Sequence, residues 1–209
     1  MILLLAPLLA FAEEPAIYGM KGVDHGCAAC QRLEASQVKI TASSTLAGKG
    51  YAVGGLLDDK VETAWCEGAP GPGVGETLRI QLSQPMRLYS VGVRGGYFKS
   101  EALLAANARV RMLEVRTSTG ARATLGLRDP TVALATDPSM PADLAAIPPS
   151  TWFQRAATGE IPRILLGEEP AAMAPIEWVE LRVAGVWTGA RFEDLCISEL
   201  ELLVIDPDE

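Results

Sequence analysis

The sequence predicts an all-β domain of the sandwich or barrel type, and three observations predict it. Short runs of alternating apolar and polar residues recur along most of the chain, as strands with one buried face require. Turn-forming residues separate these runs at close spacing. Helical periodicity is scarce, so a core closed by many short strands is the expected solution.

The elements follow in order. Met1-Ile-Leu-Leu-Leu-Ala-Pro-Leu-Leu-Ala10-Phe-Ala12 is a short apolar stretch ending in an Ala-Phe-Ala cleavage signal. It is too short to span a bilayer, and it lacks the basic residues that usually open a secretory signal. Residues 1–12 are expected to be a signal peptide, with a buried core segment as the alternative, and the mature protein to be secreted or periplasmic. No cysteine stands at the cleavage point to carry a lipid anchor. Residues 13–36 read as an irregular leader, and 37–205 as one domain.

Within that domain, Val38-Lys-Ile-Thr-Ala42 alternates, and Thr77-Leu-Arg-Ile-Gln-Leu82 alternates up to the turn Ser83-Gln-Pro85. Leu88 to Val93, Val110 to Arg116, Ala123 to Leu127, Trp178 to Val183 and Ile197 to Val204 complete the strands. Ser100 to Ala108 is the one convincing helical turn, with Asn107 near its end. Residues 138–175 break the rhythm. This stretch is rich in Pro and Ala, holds Trp152-Phe153 and Ile164-Leu-Leu166, and is expected to be an insertion between strands, partly ordered by those apolar residues.

The 209 residues carry a net charge of −8. That argues against phosphate-backbone binding, which needs clustered cations. Four cysteines, Cys27, Cys30, Cys66 and Cys196, suit an exported protein with two disulfides, for which three pairings exist. Cys27-Ala-Ala-Cys30 follows Asp24-His25-Gly26 with no strand before it, whereas a redox pair would open a helix after a buried strand. A zinc site would need a second pair at ligand spacing. A c-type haem site would need a histidine where Gln31 stands. A local disulfide or two structural thiols is the plainer reading.

Two segments carry the chemistry. Gly54-Gly-Leu-Leu-Asp58-Asp-Lys-Val-Glu-Thr63-Ala-Trp65 is a glycine-started, acid-rich turn running into a tryptophan. Cys196-Ile-Ser-Glu199-Leu-Glu-Leu202 places one acid where it can reach back to that turn. Hard oxygen ligands from two such segments can close a calcium site. The alternative is turn chemistry at Asp58-Asp59 and a solvent-facing Glu199. The only histidine, His25, lies in the leader, so no Ser-His-Asp arrangement can be assembled in the domain. Asp58 and Glu199 could serve as an acid–base pair, but the metal loop accounts for them better. The protein is not expected to be an enzyme.

Seven segments then occur in a telling order: Ala42-Ser-Ser-Thr-Leu46, Leu57-Asp58 to Thr63-Ala-Trp65, Glu67-Gly68, Gly73-Val-Gly75-Glu76, Gly96-Tyr-Phe-Lys-Ser100, Asn107-Ala-Arg-Val110 and Cys196-Ile-Ser-Glu199. Together, over roughly Gln37 to Val204, they resemble the NADase-type glycan-binding domain. That family is a branch of the discoidin, or coagulation factor 5/8 type C, superfamily, named for a domain of a streptococcal NAD-glycohydrolase toxin. The resemblance implies a galactose-binding-like jelly-roll β-sandwich with a glycan-binding or adhesive role. It implies no NAD cleavage, because the toxin's catalytic domain is a separate unit.

The resemblance also implies a structural calcium ion between the loop before the tryptophan and the last strand. Asp58 and Glu199 would supply carboxylates, Thr63 its hydroxyl or carbonyl, and Gly55, Lys60 and Ser198 backbone carbonyls. Lys60 departs from the Asp or Asn that relatives often carry, so only its carbonyl can serve. With that ligand set, Cys66 and Cys196 each stand three positions from a ligand. A Cys66–Cys196 bridge becomes plausible and leaves Cys27 for Cys30. A buried thiol at Cys196 is the alternative, since relatives can carry a lone cysteine there. Glycan contacts are expected among Trp65, Glu67, Tyr97, Lys99, Asn107 and Arg109, with Tyr97 and Lys99 exposed after Gly95-Gly96. Against this, Trp65 suits a core position, Asn107 a helix cap, and Arg109 a buried pair with Glu67. The partner is a carbohydrate or another surface ligand; a same-fold interaction module without a glycan pocket is the runner-up, and a thiol-redox protein comes third.

Overall fold

A computed structural model describes residues 27–48, 50–131, 149–158, 161–166 and 173–207. The expected signal peptide, the leader up to residue 26 with His25, and residues 138–148 of the expected insertion lie outside them.

Two antiparallel sheets share one long strand. β4 (Thr77–Arg94) pairs through its first half with β2 (Val38–Ala42) and β8 (Ile176–Trp187). β5 (Arg109–Thr117) and β6 (Arg122–Gly126) extend that layer to five strands. Through its second half β4 pairs with β10 (Glu199–Ile205) and β7 (Arg163–Leu165), and β1 (Gln31–Arg32) adds to β10. A two-stranded ribbon, β3 (Trp65–Cys66) with β9 (Cys196–Ile197), completes the strands. The alternation read from sequence is what closes the sandwich. Leu78, Ile80 and Leu82 of β4 join Leu113, Val115, Val179 and Leu181 in one core cluster with Leu200, Leu202 and Val204.

Three expectations need correction, and a fourth gains detail. Ser83-Gln-Pro85 does not end a strand; β4 stays extended through three exposed residues, with a register shift between Gln81 and Met86. Proline lacks a ladder N–H but its φ suits extended backbone, so the chain passes from one sheet to the other without turning back. The expected single strand 197–204 is broken at Ser198, whose N–H bonds Arg94 O, and whose hydroxyl accepts from Phe98 N and lies 3.5 Å from Val61 O. The leader is not wholly irregular, because Gln31 and Arg32 pair with Val204 and Leu203. The expected insertion also adds an edge strand, β7, to β4.

The helix and the insertion fit by local chemistry. α1 (Glu101–Ala106) is capped by Ser100, whose hydroxyl accepts from Leu103 N, and ends where the Asn107 N–H bonds Leu103 O. α2 (Pro149–Thr158) begins with proline, which loses nothing at a first helical position. Its Phe153 stacks on Phe98 at 6.3 Å, and Ala156 and Ala157 are buried. The buried Arg94 donates to Ala156 O. Both disulfides form, Cys27–Cys30 and Cys66–Cys196. Cys27 to Cys30 is a turn that runs into β1, not a helix start, so the helix-end field that activates a redox thiol is absent there.

Candidate functional site

The acid-rich turn is tied down by its own side chains. Asp58 Oδ1 accepts from Lys60 N at 3.0 Å, closing a local turn in which Asp59 adopts a left-handed φ of 59°. Gly55 is required by close approach: a Cβ there would meet Thr63 Cβ at 2.8 Å. Thr63 Oγ1 then sits among four acceptor oxygens, Asp58 Oδ1 and Oδ2 at 2.9 and 3.0 Å, Lys60 O at 3.0 Å and Gly55 O at 3.4 Å. A hydroxyl has one proton to share among them. The loop is therefore an oxygen-rich cradle short of positive charge. The Lys60 side chain is exposed, leaving its carbonyl turned to the cradle.

Glu199 is 2% exposed. Arg32, from β1, donates to Glu199 Oε1 at 2.9 Å and to Asp59 Oδ1 at 3.2 Å. The other oxygen, Oε2, is buried without a hydrogen-bond partner. Burial pushes the Glu199 carboxyl up to about 8; Arg32 opposes this, while the negative charges of Asp58 and Asp59 add to it. Arg94 opposes the rise as well, so two guanidiniums face three acids and burial prevails. Among the described residues no three His, Cys, Asp or Glu side chains group as metal ligands. The expected donors are instead two carboxylates, a hydroxyl and carbonyls, a set of hard oxygens of the kind calcium takes. The side chain of Ser198 is engaged by Phe98, so only its carbonyl could join.

The six residues expected to meet a glycan are distributed differently. Trp65 is fully buried, its indole N–H donating to Ser44 O at 3.0 Å. Glu67 is fully buried and accepts from Ala69 N and Leu195 N; burial raises its carboxyl above the ordinary value. Tyr97, expected to be exposed, is 6% exposed and meets Tyr51 edge-on at 6.2 Å. The physical reason is close packing after the two glycines: a Cβ on Gly96 would strike Leu104 at 2.5 Å. Asn107 caps α1, its amide donating to Leu103 O. Arg109 pairs with Asp129 and not with Glu67, through two bonds of 2.9 Å, and also donates to the carbonyls of Leu104, Asn107 and Thr188. Lys99 alone of the six is exposed.

Sequence reasoning missed Arg32, Tyr51 and Asp129. Arg32 lies in a two-residue strand with no periodicity to read, and its signal was only its place just after a disulfide. Tyr51 packs with Leu46 and Leu103 on a small cluster around the Cys66–Cys196 bridge, beside Tyr97. That cluster brings Leu46 and Tyr51 together with Tyr97 and Leu103 beside the bridge.

A family model described as the NAD glycohydrolase translocation F5/8 type C domain matches residues 32–203. The chain belongs to this family. This F5/8 type C domain has no match among curated proteins. Among solved structures it is similar to the F5/8 type C domain of a Bacteroides fragilis protein (TM-score 0.53, 11% identity), covering 86% of this chain and 99% of that one. It is also similar to the family 32 carbohydrate-binding module of NanJ from Clostridium perfringens in complex with galactose (TM-score 0.51, 11% identity, 83% and 98% covered). A third is arabinofuranosyltransferase AftD from Mycobacteria (TM-score 0.51, 18% identity), of which the F5/8 type C domain spans 11% while 81% of its own length is covered. At such identities the likeness shows the fold, a discoidin-type β-sandwich, and no shared ligand.

Proposed function

We propose that this F5/8 type C domain is an exported, non-catalytic carbohydrate-binding module stiffened by a structural calcium ion. The observation that carries the reading is membership of a discoidin-like binding family, with a sandwich whose loop end is cross-linked by Cys66–Cys196. A fold shared with a galactose-bound module supports a sugar as the ligand class. Two disulfides support an oxidising compartment. No helix among the described residues is long and apolar enough to cross a membrane. The sugar would lie at the loop end over the half-buried Tyr51, whose ring offers a face to sugar C–H groups, beside the exposed Lys99. A glycan array probed with the protein should give hits that Tyr51→Ala and Lys99→Ala abolish.

The runner-up, an interaction module of the same fold without a sugar pocket, draws on one observation: five of the six expected contact residues are buried and packed internally. An array blank for wild type, with a protein ligand captured through the same loops, would decide for it.

Calcium would be held by the Asp58 and Glu199 carboxylates, Thr63, and the carbonyls of Gly55, Lys60 and Ser198. Its contribution is positive charge for the cradle and for the unpartnered Glu199 oxygen. With a dissociation constant of about 0.1 mM, at the tight end for extracellular modules, about 1 mM calcium stabilises the fold by about 1.4 kcal/mol. The melting temperature should rise by roughly 3–5 °C over the chelated protein, and not in Asp58→Asn. Calorimetry showing no calcium uptake, with a chelator-insensitive melt, would remove the ion from this reading.

A further inference from the structure

The outer face of the five-stranded layer carries a charge pattern that the acidic composition conceals. The pairing registers set Thr41, Arg79, Glu180, Arg116 and Arg122 in one row across all five strands. Arg182 and Glu114 are paired in the next row, and Lys39 lies on the other side, in register with Gln81 and through it with Trp178. The alternate residues of these strands face the core, so all these side chains share the outer face. The face thus holds five cations against two acids, in a chain of net charge −8.

Two of the cations are engaged. Arg79 lies 3.6 Å from Glu180 and stacks 3.9 Å over the Trp178 ring, and Arg182 lies 3.3 Å from Glu114. Lys39, Arg116 and Arg122 are exposed and, among the described residues, have no ion pair. Charges on edge strands deter unwanted sheet pairing, which accounts for Lys39 on β2 and Arg122 on β6. It does not account for Arg116, which stands on an interior strand directly opposite Arg122. Like charges in that position destabilise an antiparallel pair. A depression of about 210 Å³ lies at this arginine pair, lined by Glu114, Arg116, Arg122 and Thr124 among others.

We propose that this face binds an acidic polysaccharide, a sugar chain bearing carboxylate or sulfate groups. One anion would sit between Arg116 and Arg122, another near Lys39, and the chain would cross the strands past Trp178. Four strand spacings of about 4.8 Å spread the three free cations over about 19 Å. That sparse spacing matches a polymer with anions on some sugars. Duplex DNA, with a charge every 1.7 Å or so, is held by denser cation arrays and is repelled at range by the net negative charge. The proposal is independent of the loop-end reading, since it uses other residues and a charged ligand.

Affinity electrophoresis in gels containing polygalacturonate, heparin or neutral dextran tests it, with duplex DNA as competitor. Wild type should be retarded by at least one acidic polymer and not by dextran, and the retardation should fade with added salt. Retardation by polygalacturonate alone identifies carboxylate as the recognised group, and by heparin alone sulfate. Arg116→Gln with Arg122→Gln should weaken binding about 10-fold, and Arg116→Glu with Arg122→Glu should abolish it. The double glutamine variant should melt no lower than wild type, since both side chains are exposed and their like-charge pairing is relieved. Equal retardation of wild type and the double variants, no retardation at all, or displacement by DNA at lower charge concentration than the glycan would overturn the proposal.

Discussion

Cys66→Ala with Cys196→Ala lowers the stability of this domain by about 4 kcal/mol, the largest single loss expected from any pair of side chains in it. The bridge closes a sequence separation of 130 residues, against 3 for Cys27–Cys30. Loop-closure entropy grows with the logarithm of that length, reaching about 5 kcal/mol for the long loop and about 2 kcal/mol for the short one at the chain-entropy limit. The position adds to the effect. Both cysteines are buried, pair in register across β3 and β9, and anchor the Tyr51–Tyr97 cluster at the loop end. Thermal denaturation should fall by roughly 8–16 °C. Removing Cys27 and Cys30 should cost half as much or less, and an equal loss from the two pairs would refute the long bridge as the principal staple.

Arg109 is expected to come second. Arg109→Met removes the partner of the mostly buried Asp129 and frees three carbonyls, for a loss of about 3 kcal/mol in denaturant titration. Many buried pairs can be replaced together by apolar residues at little cost. Here Arg109→Met with Asp129→Leu should recover only part of the loss, because the carbonyls of Leu104, Asn107 and Thr188 stay unpaired. Full recovery would show that Arg109 serves Asp129 alone. The pair also sets an acid limit. Burial works against the Asp129 charge, but the bonds from Arg109 and Thr131 prevail and hold its carboxyl below the ordinary 3.8. A depressed carboxyl contributes stability in full above its unfolded value and loses it as pH falls through the folded one. Stability should therefore decline below about pH 4, less steeply in Asp129→Asn than in wild type.

These two sites show where reading by sequence stops. The helical turn with its Asn107 cap, β2, and the inward face of β4 were legible, since each depends on residues within a few positions of one another. The acid-rich turn was legible for the same reason, whereas the set of Gly55, Asp58, Lys60 and Thr63 followed from the family resemblance, and the fold gathers their oxygens around the Thr63 hydroxyl. The partner of Arg109 was not, because Asp129 is 20 residues away in a stretch with no pattern. Tyr97 looked exposed because its glycine neighbours suggest an open loop, whereas they are small to let Leu104 and Val110 pack close.

The opening expectation of many short strands closing a sandwich stands on alternation and turn chemistry alone, which operate over a few residues and need no partner to be recognised. Which cysteine meets which, that β4 serves both sheets, that Arg32 reaches Glu199, and that five cations share a face are matters of register. Register is chosen when segments separated by up to 167 residues pack against one core, and a one-residue slip would turn every one of those side chains to the other face.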